Sequence, residues 1–146
     1  MFHFDARLDV QLAPDDILRK YGLERGGRVQ QFIDQKVISE CKPYIPASPR
    51  RILENSAQAL TEIGSGIVIW ETPYARYQYY GRVMTDELGR TWVGEGEKKP
   101  IIHEDWPLTY DTAQNLLAGP YWFERAKADH LTEWLDEARR VMIKGE

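Results

Sequence analysis

Cysteine occurs once, at Cys41, so no internal disulfide can form and no thiolate metal centre can be built from this chain alone. That usage suits a reducing compartment such as a cytoplasm. An excess of one charge is missing too: 19 Lys and Arg stand against 23 Asp and Glu, a net charge of -4. The basic residues are interleaved with acids, as in RRILE, ERAKADH and DEARR. This predicts solvated faces laced with ion pairs, not the basic stripe that grips phosphates. No apolar run approaches the ~18 residues of a membrane span. The opening MFHFDARLDV has neither a basic leader nor a long apolar stretch, so no secretory signal is expected.

Catalytic signatures are equally scarce. GEGEKKP has glycines and lysines but not the spacing that cradles a phosphate, Rossmann spacing is not found, and no G-x-S-x-G elbow occurs. His103, Glu104 and Asp105 gather three potential metal ligands, but side chains in tandem diverge, and neither His3 nor His130 has ligand spacing. Acidic pairs such as Asp86 and Glu87 lie in a polar setting where nothing raises a carboxyl pKa. No catalytic residue, cofactor or metal is expected, and the chain is read as a non-enzyme.

What is present fits one soluble domain spanning 1–146, with 42% hydrophobic residues and five tryptophans to fill a core or an interface. Phe2, Phe4, Leu8 and Val10 alternate with polar residues, which predicts a half-buried strand or arm. Pro14 before Asp15 and Asp16 marks a helix start that Gly22 can end. Val29, Phe32, Ile33, Val37 and Cys41 trace a helical stripe closed by Pro43 and Pro46, and Cys41 on that stripe reads as a core thiol. Ser48 before Pro49 has the form of a helix cap and first turn. QALTEI and IVIW around Gly64-Ser65-Gly66 predict a hairpin. Residues 82–119, rich in Gly, Pro and charge with isolated Trp92 and Trp106, read as a long polar loop with one more strand allowed within 90–103. The clearest helix is 120–143, with Pro120 in its first turn. Together these predict an α+β fold: a small, mostly antiparallel sheet packed against the 28–42 and 120–143 helices.

The stretch TPYARYQYYG holds four tyrosines in ten positions, 72 to 81. Thr72-Pro73 resembles a cap and first turn, and Gly81 a helix end, which predicts a two-turn helix. On it Tyr74, Tyr77 and Tyr80 share roughly a 120° arc, expected to pack inward, with Arg76 and Tyr79 elsewhere on the circumference.

The combination of IVIWETPYARYQYYG, a polar loop, and GPYWFERAKADHLTEWL resembles the minor capsid protein families of tailed bacteriophages, whose members carry PYAR-x-x-YYG after a strand and a W-F-E-x-A-K helix. KPYIPASPRRILENSA is similar to a stretch of phage neck and tail-completion proteins, with Ser48-Pro49-Arg50-Arg51 replacing the usual Thr-Gly turn. The resemblance spans about 36–140. It implies a structural virion protein at the head–tail junction, joining head connector and tail by protein–protein contacts. Such a protein forms rings in the virion, can be a monomer in the host cytoplasm before assembly, and binds without turnover. Contact residues are then expected at Tyr74, Arg76, Tyr77, Tyr80 and Trp122, with Arg50 and Arg51 as second choices, each of which could equally pack within the chain. Two alternatives stay open: a nucleic-acid-binding accessory protein using the Tyr/Arg helix 73–80, and a small hydrolase with a site around His103, Glu104 and Asp105.

Overall fold

The computed structural model describes residues 2–8, 14–47, 50–92 and 99–145. The alternation at the N-terminus becomes strand β1 (Phe2–Asp5), whose Phe2 and Phe4 turn inward while His3 and Asp5 face solvent. Its partner is β2 (Ile67–Trp70), antiparallel, with Phe2 opposite Trp70 and Phe4 opposite Val68. The expected 58–70 hairpin is therefore corrected. Gly64-Ser65-Gly66 does turn the chain, with φ of +100° at Gly64 and +77° at Gly66. What precedes it, however, is helix α3 (Ile52–Leu60). Leu53 and Ala57, one turn apart, bury one face of that helix, a spacing no strand could use. The far edge of β2 is occupied by hydroxyls: Ile69 N donates to Thr61 Oγ1 at 3.0 Å and Glu71 N to Ser56 Oγ at 3.3 Å.

Two helices, not one, occupy the region from 14 to 42. Helix α1 (Asp15–Lys20) starts after Pro14, and Gly22 at φ +70° turns the chain toward α2 (Arg28–Cys41). The predicted stripe is real, since Val29, Ile33, Val37 and Cys41 are buried, and a 3-10 turn over Lys42–Tyr44 closes the helix at Pro43. Burial pushes the Cys41 thiol above its ordinary range, as befits a core thiol. The Ser48-Pro49 cap lies outside the described residues.

The long C-terminal helix, α5, runs from Trp122 to Lys144, two residues later than expected. Tyr121 holds a left-handed conformation at φ 53° in front of it, so Pro120 belongs to the approach and not to the first turn. Trp122, Ala126, Trp134 and Ala138 are the buried residues of this helix, while Leu131 is more exposed than its place on the predicted stripe implies. Lys36 bridges the two helices, 3.0 Å from Glu137 and 3.1 Å from Glu40. Arg28 caps the last turn of α5 by donating to the carbonyls of Met142 at 3.0 Å and Val141 at 3.3 Å.

The architecture is α+β, but among the described residues the strands form two separate two-stranded sheets. The second sheet corrects the long-loop expectation. After helix α4 (Ala75–Tyr80), β3 (Arg82–Thr85) pairs antiparallel with β4 (Ile101–Pro107), which overlaps the expected 90–103 strand only at its first residues. A register shift lies between Arg82 and Val83. Met84 and Thr85 are buried under this hairpin, yet most of β4 is exposed and Met84 stands outside the main core cluster. The hairpin is an arm fastened to the body through α4.

Candidate docking surface around helix α4

Helix α4 is short and well terminated: Gly81, left-handed at φ 68°, donates its amide to the Tyr77 carbonyl at 2.9 Å. Its start differs from expectation. Tyr74 occupies the cap position with no side-chain cap, and the Thr72 carbonyl instead accepts from Ala75 N at 3.1 Å.

The face turned inward also differs. Ala75 and Tyr79, at i and i+4, are the buried pair, so the 74/77/80 arc is not the core face. The reason is steric. A small residue followed one turn later by a large one lets the helix approach the sheet while Tyr79 fills the gap. The Tyr79 ring lies 4.6 Å from Trp122, 4.7 Å from Phe2 and 5.0 Å from Phe4, centroid to centroid. Its carbonyl accepts the Tyr121 amide at 2.9 Å, which docks the entry to α5 on the end of α4. Sequence reasoning missed this hub; the available signal was the Ala–Tyr pair at helical spacing.

The remaining aromatic residues line the outside of the helix. Tyr74 and Tyr77 are half-buried, their rings 6.2 Å apart, and Tyr80 is 38% exposed. The Lys99 ammonium sits 4.3 Å from the Tyr77 ring centroid and donates to the Thr91 carbonyl. Burial raises the Tyr77 phenol and lowers the Lys99 ammonium from their ordinary values. Arg76 is exposed at the rim of an open cleft of about 470 Å³. Phe2 and Pro73 supply the accessible apolar lining of that cleft, with Trp70 and Ala75 buried behind it, and Glu71 stands with Arg76 at its edge.

Past Gly81 the arm presents a second set of large side chains. Trp106 is 52% exposed, Trp92 78% and Leu88 79%. The arm's base is held by Leu108 N donating to the Gly81 carbonyl at 3.0 Å and by the Tyr110 hydroxyl donating to the Gln78 carbonyl. His103 is engaged with the Thr85 hydroxyl at 2.8 Å, and Glu104 stands 3.9 Å from Arg82. Among the described residues no group of three or more His, Cys, Asp and Glu side chains could hold a metal ion.

The other sequence-predicted contact residues are not brought to this surface. Trp122 is fully buried in the core, against Trp70 and Tyr79. Arg50 and Arg51 belong to the entry to α3. Arg50 is exposed, and Arg51, left-handed at φ 52°, lies 3.5 Å from the buried Glu54 carboxylate. Among the described residues no helix is long and apolar enough to cross a membrane. A family model described as minor capsid protein matches residues 9–143. No curated protein and no solved structure matches the chain.

Proposed function

The chain belongs to the phage minor capsid protein family, and from that premise we propose that it joins head connector and tail at the head–tail junction of a tailed phage or prophage. A structural role in the virion goes with the family, and so does contact with other virion proteins. The finer reading places the protein in the neck, as one member of a ring, acting by binding alone.

The observation that supports this best is the arm. A β-hairpin that leaves Trp106 half out and Leu88 and Trp92 largely out spends large apolar side chains on solvent. Exposed apolar groups of that size, beside Tyr and Arg side chains on α4, have the composition of a protein–protein contact. On the Tyr/Arg helix Tyr79 is committed to the core and cannot stack on a base, so a nucleic-acid reading would have to rest on Tyr74, Tyr77, Tyr80 and Arg76 alone.

The test is deletion of the gene from the phage or prophage, followed by electron microscopy of the particles. The neck reading expects filled heads and free tails that fail to join, with the protein found at the junction of wild-type particles by antibody labelling. Complete tailed particles in the deletion strain, or label spread over the shell, would refute it.

A further inference from the structure

The two edges of the first sheet are finished differently. Antiparallel pairing leaves alternate residues of each strand with their amide and carbonyl turned away from the partner strand. The bond from Ala6 N to the Gly66 carbonyl, one step past β1 in the same register, fixes which residues those are. Even-numbered residues of β1 point to β2, so His3 and Asp5 point away from it. On the other side the outward amides belong to Ile67, Ile69 and Glu71, and the hydroxyls of Ser65, Thr61 and Ser56 accept them. That edge is sealed. Along β1 no further strand lies among the described residues, and there the backbone amide and carbonyl of exposed His3 and Asp5 have no hydrogen-bond partner. The opening ends at Arg7, whose outward amide donates to Asp5 Oδ1 at 3.0 Å. The strand itself, FHFD, carries no lysine, proline or bulge, the devices that keep such an edge from pairing. We propose that β1 pairs with β1 of a second copy of the chain, antiparallel about a two-fold axis, so that the two sheets become one.

The occupant follows from the pattern of open groups, which is its own complement. With Phe4 opposite Phe4 of the second copy, His3 stands opposite Asp5 and Asp5 opposite His3, both as hydrogen-bonded pairs. Every open backbone group of both copies is then satisfied. Sliding the strands until Asp5 meets Asp5 calls on the Arg7 amide, which is already bonded, and sets carboxylate against carboxylate. Sliding them the other way, until His3 meets His3, leaves Asp5 unpaired among the described residues. Side chains agree with the first register, since residues directly opposite share a face. On the inner face half-buried Phe4 meets its own copy and Phe2 meets Ala6, which extends the apolar surface packed on the core. On the outer face the exposed His3 imidazole lies against the exposed Asp5 carboxylate, a donor against an acceptor. Arg7 already holds that carboxylate, so this pair selects the register more than it strengthens the contact. A two-fold contact of this kind closes at two copies and does not propagate a ring. The inference rests on β1 alone and stands apart from the neck reading.

The experiment uses the full chain with any purification tag at its C-terminus. Wild type is expected to pass from monomer to dimer with rising concentration in light-scattering chromatography. His3→Pro removes an outward amide that the ladder to β2 does not use, so the fold is kept and dimerisation is expected to weaken by about tenfold or more. Circular dichroism checks that this variant is folded. Charge exchange supplies an independent arm. His3→Glu sets acid against acid across the axis, and Asp5→Lys sets a second basic group against His3. Each alone is expected to associate more weakly than wild type, and an equimolar mixture of the two to recover the dimer. Cysteines read the register: a His3→Cys copy mixed with an Asp5→Cys copy is expected to cross-link on oxidation, across a Cα separation of about 5.5 Å. Cys41 is buried and takes no part. A wild type that stays monomeric at every concentration and yields no cross-link overturns the proposal. So does a dimer that the proline and charge variants leave intact, because another surface then forms it. Cross-linking of the His3→Cys copy with itself in place of the mixed pair overturns the register and the proposal with it.

Discussion

Asp34 holds Gly64 inside the core: its Oδ2 accepts the Gly64 amide at 2.7 Å, and the same oxygen accepts the Gly66 amide at 3.1 Å. Its other oxygen accepts from Gln30 Nε2 at 2.8 Å, and Gln30 in turn binds Ala6 O and Leu8 N, at the exit of β1. One carboxylate therefore ties α2 to both strands of the first sheet. Asp34→Ala leaves two glycine amides and the Gln30 amide short of an acceptor and is expected to cost about 3 kcal/mol. Asp34→Asn keeps one oxygen for the glycines but turns an NH₂ group toward Gln30, whose own amide is fixed by its two backbone partners. A smaller loss, about 1–2 kcal/mol, is expected. Urea denaturation of the three proteins checks the order; an Asn variant as damaged as the Ala variant would show that the Gln30 contact carries the stability.

That network explains where sequence reasoning stopped. Periodicity marks apolar positions, so Val29, Ile33, Val37 and Cys41 revealed the buried face of α2, whereas Gln30 and Asp34 share that face and gave no signal. The fold class and the two long helices were legible because their patterns are local. The pairing of β2 with β1 was not, because a Gly-Ser-Gly turn looks the same whether a strand or a helix precedes it. The arm was hidden because β4 exposes charge and apolar groups alike, without the alternation that a strand packed on one side shows. At the candidate site Arg76 was legible as an outward residue, whereas Tyr80, expected to pack inward with Tyr74 and Tyr77, is 38% exposed. The inward residue was misread, because three tyrosines at i, i+3, i+6 outnumbered the Ala75–Tyr79 pair that the packing uses.

Arg125 organises the approach to α5. Its guanidinium donates to the carbonyls of Pro120 at 2.8 Å, Leu117 at 2.9 Å and Tyr44 at 3.2 Å. Arg125→Lys keeps the charge but loses the planar fork that reaches three acceptors at once. It is expected to lose about 1–2 kcal/mol. Hydrogen exchange should localise the effect, with the amides of Ala118, Gly119 and Tyr121 exchanging faster while those in the middle of α2 keep their protection. Uniform acceleration across the chain would contradict a local role.

Tyr44 gives the protein an alkaline limit. Burial, and then its hydrogen bond to Asp129 at 2.6 Å, push its phenol up to about 12 from 10.0. Burial likewise pushes Tyr110 up to about 12. A phenol whose folded pKa lies above the unfolded one contributes stability that is complete below the unfolded value, and that contribution is lost as pH rises through the folded one. Wild-type stability is thus expected to fall between about pH 10 and 12. Tyr44→Phe should be about 1 kcal/mol less stable at neutral pH but should decline less steeply across that alkaline window. Phenol absorbance titration should show one fewer late-titrating group in this variant. An unchanged count would place the shift elsewhere.

Tyr79 separates core from surface within the aromatic stretch, and its ring and its hydroxyl should behave differently. The ring is 2% exposed and touches Phe2, Phe4 and Trp122, whereas the hydroxyl is buried without a hydrogen-bond partner. Removing the ring leaves a cavity among rigid neighbours, so Tyr79→Ala is expected to cost about 3–5 kcal/mol. Tyr79→Phe removes only a polar group that burial has left unsatisfied, so it should be neutral or slightly stabilising. Tyr80→Ala, on the exposed side, should change stability by less than about 1 kcal/mol. Thermal melts of the three variants decide between a core and an outward role for each tyrosine. If Tyr79→Phe were as damaging as Tyr79→Ala, the hydroxyl would have a partner and α4 would sit differently on the sheet. If Tyr80→Ala were the costly change, the 74/77/80 arc would be the packed face after all.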